Sequence, residues 1–95
     1  MTYRLIFLRQ AQKEWDKLDK SIRDQFTKKL RQRLAYPRVA ASRLRDMPDC
    51  YKIKLRSVGY RLIYQVRDEQ IKVVVIAIGC RDRDEVYLAA INRLN

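Results

Sequence analysis

The chain has no histidine, and its eleven Asp and Glu residues are outnumbered two to one by 22 Lys and Arg. Without an imidazole there is no His-activated nucleophile, and a zinc centre would lack its usual nitrogen ligand, so no metal and no other cofactor is expected. Cysteine is scarce. Cys50 and Cys80 are the only two, too few for a disulfide framework, and are expected to be free thiols in a reducing cytoplasm. Long apolar runs are missing too. A membrane helix needs about 18 or more such residues, whereas the longest run, "VVVIAI" at 73–78, has the length of a strand. The opening "MTYRLIFLRQ" carries neither the apolar stretch nor the small-residue cleavage site of a secretory leader. These absences predict a cytoplasmic protein with no membrane partner.

What is present is a small basic globule. Ninety-five residues suit a single domain spanning 1–95, with one core. Apolar residues make up 47% and charged residues 35%, the balance of a soluble fold. The net charge of +11 points to a polyanionic partner: nucleic acid, a ribosome or an acidic protein. Charge alone does not choose among these. No repeat, low-complexity tract or internal linker interrupts the chain.

Periodicity supplies the elements. "TYRLIFL" reads as a short strand ending at Leu8, and Ala11, Trp15 and Leu18 then recur at helical spacing. Ile22, Phe26, Leu30 and Leu34 stand every fourth residue in a second helix from about Ser21 to Ala35, closed by Pro37, which disfavours helix at Tyr36. Two successive helices predict a hairpin on one sheet face, with Trp15 and Phe26 as core anchors. Residues 38–49 show no period and carry Arg38, Arg43 and Arg45, as a basic connecting loop would. Strands are expected at about 50–56, 60–67 and 71–79, with a tight turn at Asp68-Glu69. The last is apolar at nearly every position, as in a central strand covered on both faces. Asp82 and Glu85 have capping-box spacing for a helix starting near Arg83, with Val86, Tyr87, Ala90, Ile91 and Leu94 on its apolar side. The order β-α-α-β-β-β-α predicts an α+β fold. Its sheet is mainly antiparallel, with an N-terminal helical hairpin, a short C-terminal helix and helices mostly on one face.

The segment "YKIKLRSVGYRLIYQV", 51–66, sets a puzzle. Side chains alternate faces along a strand, and opposed residues share a face. Keeping Tyr51, Ile53 and Leu55 on the same face as Leu62 and Tyr64 requires Leu55 opposite Tyr60, Ile53 opposite Leu62 and Tyr51 opposite Tyr64. Lys54 then falls opposite Arg61, a like-charge pair that a hairpin optimised for stability would avoid. Either the outer face is solvated and tolerates the repulsion, or an anion removes it. If the next strand pairs beside 60–67, Ile76 falls near Arg61, and Arg81 leaves that strand beside the same face. Lys52, Lys54, Arg61 and Arg81 would then converge beneath Tyr87. Taken singly, Arg81 also fits a solvated loop arginine and Tyr87 a core tyrosine.

The linked set of KIK at 52–54, GYRL at 59–62, arginine at 81 and EVY at 85–87 lies within "RLRDMPDCYKIKLRSVGYRLIYQV" and "VVVIAIGCRDRDEVY". Together with the helical hairpin carrying Trp15, it resembles the RelE family of bacterial type II toxin–antitoxin toxins, over nearly the whole chain. That resemblance implies an endoribonuclease that cuts mRNA in the ribosomal A site, contacts small-subunit rRNA and is held inactive by a RelB-like antitoxin. It places the catalytic positions at Lys52, Lys54, Arg61, Arg81 and Tyr87, with Arg45, Arg56 and Arg83 as further RNA contacts. In the implied reaction a ribose 2′-hydroxyl attacks its own 3′-phosphate, leaving a 2′,3′-cyclic phosphate and a 5′-hydroxyl end. Preorganised cations suit the charge that builds on phosphate oxygens, Arg61 by its planar fork. A lysine crowded by other cations loses protons more readily, so Lys52 or Lys54 becomes an acid–base candidate. Arg81 would stabilise charge or protonate the leaving oxygen, and Tyr87 would stack on a base or orient the nucleophile. Sequence leaves open which residue moves which proton. Two other readings stand beside this one: a ParE-like toxin acting on DNA gyrase, and a non-enzymatic RNA- or ribosome-binding protein.

Overall fold

Alternating and helical patterns resolve into strands and helices in the predicted order. The computed structural model describes residues 2–80 and 85–94. In it β1 spans Arg4–Phe7, α1 Arg9–Asp16, α2 Lys20–Ala35, β2 Cys50–Leu55, β3 Tyr60–Arg67, β4 Lys72–Cys80 and α3 Glu85–Leu94. The sheet runs β1-β4-β3-β2. The β2–β3 and β3–β4 pairs are antiparallel, and β1 lies parallel to β4. The fold is α+β with a mixed, mainly antiparallel sheet. Asp82, half of the expected capping box, lies outside the described residues.

The sheet separates two cores. On one face Ala11 of α1, and Ile22, Phe26 and Leu30 of α2, pack on Tyr51, Ile53, Leu62, Tyr64, Val73 and Val75. Phe26 is fully buried here, whereas Trp15 is only partly buried, its ring 6.3 Å from Phe26 and 5.2 Å from Phe7. On the opposite face α3 sets Val86 and Ala90 against Ile63, Val74, Ile76 and Ala77. Two helices therefore cover one side and one covers the other. This double cover explains the unbroken apolar run of β4.

The β2–β3 register is the one that facial alternation demands: Leu55 faces Tyr60, Ile53 faces Leu62, Tyr51 faces Tyr64 and Lys54 faces Arg61. The β3–β4 register departs from expectation. Instead of a tight Asp68-Glu69 turn, a 3₁₀ turn at Asp68–Gln70 and a left-handed Ile71 join the strands, so Arg67 faces Lys72. A bulge then leaves Ile76 without a partner on β3, because Tyr64 faces Val75 and Ile63 faces Ala77. The longer turn and the extra residue place Gly79, not Ile76, opposite Arg61.

The 38–49 connection also has internal order, with a 3₁₀ turn at Ala40–Ser42 and a bridge from Arg43 to Tyr51. Arg38 does not serve as a free basic group. Its guanidinium donates to Asp49 at 3.0 Å, to Asp68 at 2.6 Å and to the Tyr51 hydroxyl at 3.3 Å. The Tyr3 hydroxyl and Arg38 together hold the Asp68 carboxyl below the usual carboxylate range. Both cysteines are free. Burial, with nearby Asp49 adding to it, pushes the Cys50 thiol up to about 11, which keeps it unreactive at neutral pH.

Candidate functional site

The cationic face follows from the pleat of β2. Alternation buries Tyr51, Ile53 and Leu55 toward the helical hairpin and turns Lys52 and Lys54 to the other side. The chain reverses at Gly59, whose φ of 72° is the left-handed conformation glycine adopts without penalty, and its N–H donates to the Leu55 carbonyl at 2.8 Å. That turn fixes Leu55 against Tyr60 and so sets Arg61 beside Lys54. Arg33 supports the arrangement from α2. It donates to the Lys52 carbonyl at 3.3 Å and to the Tyr64 hydroxyl at 2.8 Å, while that hydroxyl donates to the Pro37 carbonyl at 2.7 Å. Sequence reasoning missed Arg33, although its place beside the Leu30–Leu34 apolar stripe was a usable signal.

Helix α3 adds the fourth group. Val86 packs into the core above Gly79, where an added Cβ would lie 3.5 Å from the valine side chain. The next residue, Tyr87, comes over Arg61. Arg61 donates to the Tyr87 hydroxyl at 2.8 Å, and its guanidinium carbon lies 5.6 Å from the ring centroid. The hydroxyl accepts this bond, which leaves its own proton available for a ligand oxygen.

Lys54, Arg56, Tyr60 and Arg61 line an open hollow of about 340 Å³ together with Leu55 and Gly59. Lys54 is exposed at its mouth, and Lys52 and Arg61 are half-buried. Among the described residues no carboxylate pairs with Lys52, Lys54 or Arg61. Among these residues the repulsion therefore goes uncompensated. The charge of Lys52, then that of Arg61, lowers the Lys54 ammonium below the usual lysine range, with smaller contributions from desolvation and Arg56. A cluster of this kind can clamp a phosphate and also offers an amine that gives up its proton more easily. Among the described residues no group of potential ligands could hold a metal ion.

Four expected positions thus come together: Lys52, Lys54, Arg61 and Tyr87, with Arg56 at the border. Arg45 is exposed on the loop before β2 and does not line the hollow. Arg81 and Arg83 lie outside the described residues.

Comparison with known proteins gives the setting. A family model described as the ParE toxin of type II toxin-antitoxin system, parDE, matches residues 5–85. Over 94 residues the chain is 55% identical to the mRNA interferase toxin RelE of Escherichia coli strain K12, covering 99% of each. It superposes with a TM-score of 0.93 on an arginine-to-alanine double mutant of E. coli toxin RelE in the free state, 53% identical and fully covered on both sides. A chain of the intact E. coli RelBE toxin–antitoxin complex matches with a TM-score of 0.83 at 56% identity, over 85% of this chain and 99% of that one. Full-length identity at this level, on the same fold, means that the chain belongs to the RelE/ParE family of type II toxin–antitoxin toxins.

Proposed function

We propose that this RelE-type mRNA interferase cuts mRNA in the ribosomal A site, using the cationic face of its β2–β3 hairpin and Tyr87. The observation that carries the reading is the convergence of Lys52, Lys54 and Arg61 on one face, with the Tyr87 hydroxyl 2.8 Å from Arg61 and no paired carboxylate among the described residues. Such a face is strained without an anion and relieved by one. The scissile phosphate is that anion.

In the proposed step the neutral Lys54 amine takes the proton of the ribose 2′-hydroxyl. The 2′-oxygen bonds to the adjacent phosphorus, the bond from phosphorus to the 5′-oxygen breaks, and the leaving oxygen takes a proton from a cation of the cluster. The products are a 2′,3′-cyclic phosphate and a 5′-hydroxyl end. Arg61 and Lys52 stabilise the charge growing on the phosphate oxygens, most strongly in the transition state. Arg81 joins them through the family resemblance, and Arg45, Arg56 and Arg83 supply RNA contacts. A site with neither imidazole nor carboxylate base is weak alone. Orientation by the ribosome supplies the missing part, since well-positioned reactants can gain about 7–11 kcal/mol of a barrier. The basic surface, at +11 overall, holds small-subunit rRNA phosphates.

A RelB-like antitoxin is the proposed inhibitor, and the complex of the related E. coli proteins supports it. The cytoplasm, where ribosomes and reduced thiols occur together, is the proposed location. Among the described residues no helix is long and apolar enough to cross a membrane. The family model carries the name of the ParE toxin, which keeps a gyrase-directed toxin as the competing outcome.

Primer extension on programmed ribosomes tests the proposal. Cuts are expected within the A-site codon, with naked mRNA left almost intact. Efficient cutting of naked mRNA would remove the ribosome-assisted mechanism. Growth arrest with no cut on ribosomes would favour the gyrase reading.

The pH dependence follows from the lowered Lys54 value. As a base, Lys54 works unprotonated, so single-turnover cleavage should rise with pH until it levels at that pKa. Lys54→Arg, which stays charged throughout, should abolish this limb. A limb unchanged in Lys54→Arg would assign the proton transfer elsewhere.

A further inference from the structure

Strand β1 ends at Phe7, paired with Val75, and the Leu8 N–H makes the last backbone bond from this segment to β4, at the Val75 carbonyl. Central strand β4 continues to Cys80, with no strand neighbour on that edge among the described residues. The bulge at Ile76 turns the Ile76 carbonyl and the Ile78 N–H toward the vacated side, in residues that are 0% and 4% exposed. Buried backbone groups of this kind need partners. Two side chains supply them. Glu14 of α1 accepts the Ile78 N–H at 3.1 Å, and Arg93 of α3 donates to the Ile76 carbonyl at 2.8 Å. The two also pair with each other through both carboxylate oxygens, at 2.7 and 3.1 Å. With side-chain exposures of only 16% for Arg93 and 32% for Glu14, this is a sheltered, two-pronged pair rather than a loose surface contact.

We propose that Glu14 and Arg93 form a latch that positions Tyr87 for RNA cleavage. Resting on the assignment of Tyr87 to the site, the latch extends that site to two residues which touch no reacting atom. Helix α3 is held at two ends. Near its start, Tyr87 meets Arg61 over Gly79; in its last turn, Arg93 grips Glu14 and the β4 edge. Val86 and Ala90 are its buried residues, and Ala89, Ile91 and Leu94 pack half-buried against the same core. Apolar burial is non-directional, so this seam selects the face that α3 turns to the sheet and leaves its tilt and axial position less closely determined. The latch supplies the directional bonds. It refers the helix to Ile76 and Ile78, on the same strand that carries Gly79 opposite Arg61.

The test is a double-mutant cycle on programmed ribosomes, with Arg93→Gln, Tyr87→Ala and their combination. Cleavage by Arg93→Gln should fall by about 10- to 100-fold, the scale on which small misplacements act. Its sedimentation with ribosomes should change by no more than a few-fold. The double variant should cut no more slowly than Tyr87→Ala alone, because nothing remains to be positioned. Hydrogen exchange should quicken in 85–94 but not in β3. A merely structural role predicts multiplying losses in the double variant and would overturn the latch, as would wild-type cleavage by Arg93→Gln. Wild-type cleavage by Tyr87→Ala would instead overturn the site assignment on which the latch depends. If Arg93→Gln fails to fold, Arg93→Lys takes its place in the same cycle with the same deciding outcomes.

Discussion

Arg61→Ala should bind programmed ribosomes within a few-fold of wild type and yet cleave their mRNA about 10²–10³-fold more slowly, by analogy with the loss of a single oxyanion donor. Two kinds of cation explain the split. On the proposed mechanism, ribosome affinity is spread over many of the 22 Lys and Arg residues, so removing one should weaken binding modestly and lower the salt slope by about one contact. Arg61 is different because of its position. It lies opposite both Lys54 and Gly79 and is bonded to Tyr87, so its guanidinium is oriented before any phosphate arrives. A donor fixed in advance stabilises developing charge without reorganising at the moment of reaction. Arg81→Ala carries the same expectation through the family resemblance. Sedimentation and single-turnover cleavage measured on one preparation decide the matter. A parallel loss of binding and cleavage would make Arg61 one more RNA contact.

Lys54→Ala should lose cleavage by about 10²–10⁴-fold, the usual contribution of a positioned proton-transfer group, while its thermal midpoint stays the same or rises. Lys54 is exposed, and its surroundings are dominated by the charges of Lys52 and Arg61. Its folded-state pKa is lowered, so folding is penalised wherever the ammonium is charged in both states. That penalty is fully present below the lowered value and is relieved as pH rises from there toward the ordinary lysine value of 10.5. At neutral pH the alanine variant removes a repulsion and little packing. Gain of stability with loss of activity is the trade expected where function imposes an unfavourable arrangement. A clear drop in the melting midpoint would show that the aliphatic stem of Lys54, or an unseen partner, supports the hairpin.

Both predictions bear on the hairpin that sequence alone rendered as a puzzle. The like charges at Lys54 and Arg61 do stand side by side, held there by the turn and by the buried residues on the other face. Legibility was good for this part of the site because each residue involved belongs to a local, alternating pattern. It was poor for Arg33, which acts from α2 on the Lys52 carbonyl. It was poorer still for Glu14 and Arg93, separated by nearly the whole chain. Arg38 illustrates the opposite case. Composition placed it in a basic loop, but Asp49 and Asp68, drawn in by the fold, engage its charge.

Sequence by itself determined the β2–β3 register, since only one pairing keeps Tyr51, Ile53 and Leu55 on the same face as Leu62 and Tyr64, and a one-residue slip would turn the apolar set into solvent. It likewise determined the two helices of the N-terminal hairpin, whose apolar residues recur at intervals of three and four. Tertiary structure alone decided how β4 aligns with β3. "VVVIAI" is apolar on both faces, so sliding it by one or two residues exchanges one buried side chain for another and leaves no trace in the pattern. The 3₁₀ turn, left-handed Ile71 and the Ile76 bulge settle that alignment. They bring Gly79 opposite Arg61, open a path for α3 across the sheet and let Tyr87 reach the cationic face. The reason is physical: alternation encodes a register only where one face of a strand is wet.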